Sequence, residues 1–262
     1  MKSICFLALF ARILDAQDAP NPVLQLQHAM EAARGHVERL ESSVPDFICS
    51  EQIVSQFFMD DKLKKETRAQ SVLTTTRSIK GGHGTFTETR AEMRINGKPS
   101  KRNEISGPFV WQGGPAYGDL HFLFNSEIGA TCLDHRLVGP VKLDGKDALM
   151  IETSASENIQ NDRECSDLRA DSADRIWLDL KTLNVMRVES HDPPATRIPG
   201  ADLTLTVDYA PVSFDGAEYW LPSHFISRLD FPGTPRHLQY EAFFRDYHKY
   251  GAESSFHIDP EP

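Results

Sequence analysis

The sequence predicts an α+β domain: a curved antiparallel β-sheet of roughly ten strands, an incomplete barrel, packed on one long N-terminal helix. Three observations predict it. One stretch, residues 21–44, places apolar residues at alternating spacings of three and four, the mark of an amphipathic helix. From Pro45 onward the apolar period is two, as in strands with one face buried. Short turns join these strands, which forces neighbours to run antiparallel, and no long helix follows each strand to build a parallel sheet.

Composition supports a single folded unit. Of 262 residues, 40% are hydrophobic and 25% charged, the ordinary globular mixture rather than that of a disordered chain. The net charge of −10 leaves no basic footprint for a general nucleic-acid binder or a polybasic membrane-surface protein.

The first seventeen residues have the layout of a secretory signal peptide. Lys2 leads an apolar run from Ile4 to Leu14, broken by Arg12, and small residues follow near Ala16. Residues 1–17 are therefore expected to be a signal peptide and residues 18–262 one domain. A lipoprotein anchor would need a cysteine just after the apolar run, whereas Cys5 lies inside it. The expected location is periplasmic or secreted. No later segment reaches the ~18 apolar residues that span a bilayer.

Past that segment three cysteines remain: Cys49, Cys132 and Cys165. An oxidising compartment makes one disulfide plausible and leaves one thiol over. Closing the loop from Cys132 to Cys165 would stabilise by ~4 kcal/mol on the chain-entropy estimate. Cys49 sits in an apolar stretch, Phe47-Ile48-Cys49, that suits a buried, inert thiol.

The helix stripe is Val23, Leu26, Met30, Ala33, Val37, Leu40 and Val44. Asn21 suits the N-cap, Pro22 suits the first helical position, and Pro45 ends the element. Strands follow around Ile53–Phe58, 66–79 and 85–95, the last two around a Gly81–Gly84 turn. Asn96-Gly97, Asp144-Gly145 and Asp215-Gly216 are two-residue hairpin signals, since a type I′ turn needs positive φ at both central positions. Lys181–Asn184 joins 175–180 to 185–189, and a Pro-rich loop at 192–200 leads to Leu203–Tyr209. The series ends with 219–229 and 237–248. Between strands, Tyr117–Asn125 reads as a short helix or as a strand. It follows a Gly-rich loop, 107–114, and suits a core plug better than a lid over a cavity.

The stretch Arg175-Ile176-Trp177-Leu178-Asp179-Leu180 with its continuation to Glu189, then Leu203–Tyr209 and Tyr219-Trp220-Leu221-Pro222, resembles the LolA-type lipoprotein-carrier fold. That resemblance implies a curved half-barrel whose apolar concavity is covered by helices, as in LolA/LppX-like carriers. The chain also resembles a group of uncharacterised secreted bacterial proteins through Val44-Pro45-Asp46-Phe47-Ile48-Cys49 and Phe244-Arg245-Asp246-Tyr247-His248-Lys249-Tyr250. The second likeness implies no activity.

Catalytic motifs are scarce. The sequence holds no Gly-x-Ser-x-Gly elbow, His-Glu-x-x-His pair, phosphate loop or EF-hand loop, and no Cys-x-x-Cys. His121, Cys132 and His135 are the tightest mixed cluster, short of the four ligands of a structural zinc site. Asp60-Asp61 and Glu152/Glu157 are the acidic pairs, with solvated charge the expected state of each. Arg68, Arg77, Arg90 and Arg94 fall in the middle strands, where a solvated sheet face is expected. No enzyme activity, cofactor or metal is expected.

The apolar alternation of the late strands carries the functional expectation. Leu203, Leu205, Val207 and Tyr209 share one face, with Thr204, Thr206 and Asp208 on the other. One helix cannot cover ten flat strands, so the sheet is expected to curl and leave a trough lined by Leu178, Leu205, Val207, Phe225 and Phe122. The expected function is non-catalytic binding of a lipid, an acyl chain or a lipoprotein in that concave face. The alternative is an envelope adaptor with a filled core that binds another protein.

Overall fold

The computed structural model describes residues 21–80, 83–110, 120, 124, 131–156, 165, 173–192 and 200–251. The expected signal peptide, Phe122 and most of the 117–125 segment lie outside the described residues. Among the described residues the elements run in the order α1 (Pro22–Ser43), β1 (Phe47–Met59), β2 (Lys62–Lys80), β3 (His83–Ile95), β4 (Lys98–Pro99), β5 (Leu133–Leu143), β6 (Lys146–Ala155), β7 (Ala173–Asp179), β8 (Val185–Asp192), β9 (Asp202–Phe214), β10 (Ala217–Asp230) and β11 (Arg236–Lys249).

All eleven strands form one antiparallel sheet in the order β4-β3-β2-β1-β11-β10-β9-β8-β7-β6-β5. The sheet is curved and open, not closed into a barrel, as the sequence predicts. Each strand from β5 to β11 pairs with the next, and β1 then joins beside β11, the two pairing from Phe47 against Lys249 to Met59 against Arg236. Four turns have both central residues at positive φ: Asp60-Asp61, Asn96-Gly97, Asp144-Gly145 and Asp215-Gly216. Three of them are the expected hairpins. The fourth corrects the start of the second strand, which begins at Lys62 and not at 66. Asp tolerates the left-handed region without a following glycine, so two aspartates make the turn.

Helix α1 is built as its ends require. The Asn21 side chain accepts from the Val23 amide at 3.0 Å, and Pro22 occupies the first turn. Its buried residues are Ala29, Met30, Ala33, Val37 and Leu40. Val23, expected in the stripe, is 62% exposed, and the docked face begins at the partly buried Leu26. The helix contacts both β3 and β5, strands near opposite ends of the sheet. A sheet whose two ends meet one helix must curl around it. Arg77 on β2 fastens the far end: Nε donates to the Val44 carbonyl at 2.9 Å and Nη1 to the Glu41 carbonyl at 3.2 Å. A cation at a helix C-terminus is favourable because the last carbonyls lack intrahelical partners.

The concave face holds the main core, with buried residues from α1 and from nearly every strand. Leu120 and Phe124 are helical and fully buried in it, which settles those two positions as helix and as core. Arg34 of α1 donates to the Phe124 carbonyl at 2.9 Å, tying that segment to the helix. A disulfide links Cys132 to Cys165, both in the same core, and Cys49 is free and buried. A loop of that length corresponds to about 4 kcal/mol on the chain-entropy estimate. On the opposite face, Trp177, Met186, Ala148 and Leu143 form a small second cluster.

Candidate functional site on the concave face

Four of the five expected lining residues meet in the main core. Leu178 on β7, Leu205 and Val207 on β9 and Phe225 on β10 are each 5% exposed or less. Phe225 pairs directly with Val207, and Leu205 with Ser227. The strand period places all four on the concave side. Phe122, the fifth, lies outside the described residues. The concave face is thus occupied in the resting protein by α1, Leu120, Phe124 and the segment after β4.

Between the C-terminal half of α1 and the rim of β8–β10 lies a small cleft of about 30 Å³. Val37, Leu40, Leu120, Val185, Tyr209 and Trp220 form its apolar walls, and Arg39 and Glu218 bring charge to its rim beside His36. The His36 Nε2 lies 3.1 Å from the Thr182 carbonyl, and burial holds its pKa below the ordinary imidazole value. Tyr219 donates its hydroxyl to the Ser43 carbonyl at 3.0 Å, bridging the rim to the helix end.

The concave face also carries a buried ion pair that the sequence reading missed. Arg90 on β3 grips Glu51 on β1 in bidentate fashion, both contacts at 2.7 Å, and the Ser71 hydroxyl donates to the same carboxylate at 2.6 Å. Glu51 is 1% exposed. Glu88 lies 3.5 Å from Arg90; burial pushes its pKa up, and the Arg90 charge only partly opposes this. Burial, reinforced by the Glu51 charge, also raises the Tyr240 hydroxyl and the Cys49 thiol. The Cys49 thiol is therefore held protonated and unreactive, as expected of a buried cysteine. The expectation of a solvated arginine face is corrected for Arg90 and Arg77, both of which spend their donors inward. It holds for Arg68, whose side chain is 68% exposed beside Glu66. A signal for the pair was present: Glu51 stands at an inward position of an otherwise apolar alternation, Cys49-x-Glu51-x-Ile53, and a buried carboxylate needs a cation.

On the convex face a second network joins four strands, β8 to β11, and the turn between β5 and β6. Arg187 Nη2 contacts Asp144 at 3.1 Å, and its Nε bonds Asp208 at 2.5 Å. His224 places Nδ1 3.2 Å from Asp208 and Nε2 2.8 Å from Glu241, and its ring stacks on Phe243. Hydrogen bonding to Asp208, which outweighs burial, raises the His224 pKa. Burial works against the Asp208 carboxylate, but His224 and Arg187 hold its pKa below the usual value.

The other chemical candidates separate. Cys132 is consumed by the disulfide, and His135 Nδ1 lies 2.9 Å from the Thr153 hydroxyl. His121 and Glu157 lie outside the described residues. Glu152 pairs with Arg136 and approaches Arg175 at 3.9 Å. Asp60 and Asp61 form an exposed turn. Among the described residues no group of three or more His, Cys, Asp or Glu could hold a metal ion, and no helix is long and apolar enough to cross a membrane.

No family model and no curated protein matches the sequence. Solved structures do show similarity in shape. A domain described as an outer membrane lipoprotein-sorting protein from Vibrio parahaemolyticus is 16% identical, with a TM-score of 0.43, over 87% of this chain and 94% of that one. A DUF1329 family protein from Desulfovibrio piger is 12% identical, with a TM-score of 0.44, over 90% and 95%. A LolA superfamily protein from Nitrosomonas europaea is 11% identical, with a TM-score of 0.35, over 86% and 93%. At these scores no ligand or partner passes from them to this chain.

Proposed function

We propose that this chain is an exported, non-catalytic protein that takes an apolar chain, a lipid or the acyl group of a lipoprotein, into its concave face. One observation carries the reading: Leu178, Leu205, Val207 and Phe225 lie together in a continuous apolar core on the concave side, with the cleft beside α1 at its edge. An entering chain would displace Leu120 and Phe124 and lie against Leu178, Leu205, Val207 and Phe225, with Phe122 as the fifth lining residue. Burying apolar surface contributes about 25 cal/mol per Å², enough to offset the opening of a small plug. The charged groups nearest the core are committed to partners: Glu51 is held by Arg90 and Ser71, and Asp208 by Arg187 and His224. That arrangement suits a binding surface better than proton transfer. The expected compartment is the periplasm or the medium, following from the proposed signal peptide at residues 1–17.

Titration with an apolar fluorescent probe and native mass spectrometry of protein purified from an exporting host test this together. Saturable probe binding at one site, blocked by Val185→Trp in the cleft while the circular dichroism spectrum is kept, is the expected result. Absence of saturable binding to the folded wild type would overturn it and favour an adaptor with a filled core.

A further inference from the structure

A row of hydroxyl-bearing side chains crosses the concave face within this apolar surface. In register, Thr67 on β2 lies opposite Ser55 on β1, Ser55 opposite Tyr240 on β11, and Tyr240 opposite Ser227 on β10. Four strands at about 4.8 Å spacing make the row about 14 Å long. All four residues are buried. Beyond Ser227 the next partner in register is Leu205, and from there the concave side of β9 runs apolar through Val207 to Tyr209 at the cleft.

Two observations mark this row as more than packing. The Ser227 hydroxyl is fully buried without a hydrogen-bond partner, a state that costs about 1–3 kcal/mol and that a folded protein seldom keeps without use. And the segment after β4 rests on the row as a ligand would. Ser55 Oγ donates to the Phe109 carbonyl at 2.5 Å and accepts from the Phe109 amide at 2.9 Å. Gly107 approaches so closely that a Cβ there would sit 2.4 Å from Ser55 Oγ and 3.6 Å from Thr67 Cβ. The Phe109 ring meets Tyr240 edge-on, with centroids 6.4 Å apart. The neutral backbone N–H and carbonyl of Phe109, with its apolar side chain, are therefore seated on Ser55, while the Ser227 hydroxyl is unpaired one strand beyond Tyr240.

We propose that this row is the seat for the uncharged hydrogen-bonding head, an ester or amide, of the amphiphile whose chain lies along Leu205 and Val207. The proposal rests on the function proposed above and adds the class of head group. On binding, the head's carbonyl accepts from the Ser227 hydroxyl, while the Phe109 backbone stays seated on Ser55 two strands away. Charged heads are disfavoured because the row holds no cation of its own. Arg90, the basic group held in the same face, is already gripped by Glu51, with Glu88 3.5 Å away.

The test is competition against a bound apolar fluorescent probe by three molecules of one chain length: a fatty-acid methyl ester, the parent alkane, and the carboxylate at pH 8. The ester should displace the probe at a concentration about tenfold below the other two. Ser227→Ala should erase that advantage while leaving the melting temperature unchanged or higher, because it removes an unpaired buried hydroxyl. A structural serine would lower it. If ester and alkane compete equally in the wild type, the polar seat is overturned and apolar binding stands. If none of the three displaces the probe, both readings are overturned.

Discussion

Arg90→Met is the substitution most informative about what holds the first strands together. It deletes both 2.7 Å contacts to Glu51 and leaves that carboxylate, 1% exposed, with the Ser71 hydroxyl in place of a cation. Removing one partner of a buried pair costs about 3–5 kcal/mol, because the remaining charge loses its compensation. The Arg90 side chain is 22% exposed, so some screening already acts on the pair and the lower end, about 3 kcal/mol, applies. For a chain of this size that is a fall in Tm of about 6–12 °C. Glu51→Gln should cost less, about 1–2 kcal/mol, since Arg90 keeps Glu88 at 3.5 Å and some contact with water. The double variant should cost less than the sum of the singles, because it leaves no orphaned charge. Urea unfolding at neutral pH with the disulfide intact measures all three. An Arg90→Met midpoint within error of wild type at unchanged slope, or strict additivity in the double variant, would refute the claim that the pair is buried and coupled.

Two further predictions follow from other contacts. Leu40→Ala, at the end of the docked helix face, should cost about 2–5 kcal/mol by thermal or urea unfolding, and a near-neutral result would make α1 a detachable arm. His224 has a folded pKa above its ordinary 6.5, so its contribution to stability is complete below that value and is lost as pH rises through the raised one. The melting temperature of the wild type should therefore fall more steeply above about pH 6.5 than that of His224→Gln, and parallel curves would refute the network's role.

Hairpins written with Asn-Gly or Asp-Gly were legible because only a few residues accept positive φ, and Asn96, Asp144 and Asp215 all adopt it. Asp60-Asp61 escaped because the same backbone was made without glycine, and two adjacent carboxylates invite a chemical reading instead. The late strands were legible for another reason: on β9 the alternation from Leu203 to Tyr209 is unbroken, and so is its burial. The bidentate pair was hidden because Glu51 and Arg90 are 39 residues apart and meet only through two strand registers, Cys49 to Leu73 and Leu73 to Arg90. The polar row was hidden likewise. Ser55, Thr67, Ser227 and Tyr240 are unremarkable along the chain and become one feature only when β11 returns beside β1.

That return has a consequence for how the molecule is made. The seam between β1 and β11 joins the first strand to the last, Phe47 opposite Lys249, so the middle of the sheet exists only once nearly the whole chain is present. Pairings of such sequence separation close late and slowly. Until then α1, β1 and β2 have one flank unsatisfied, including the inward groups Ile53 and Ser55 that β11 covers. A chain emerging from its N-terminus therefore stays incomplete during synthesis, and the fourteen-residue β11 acts as the fastening that turns two half-sheets into one curved surface.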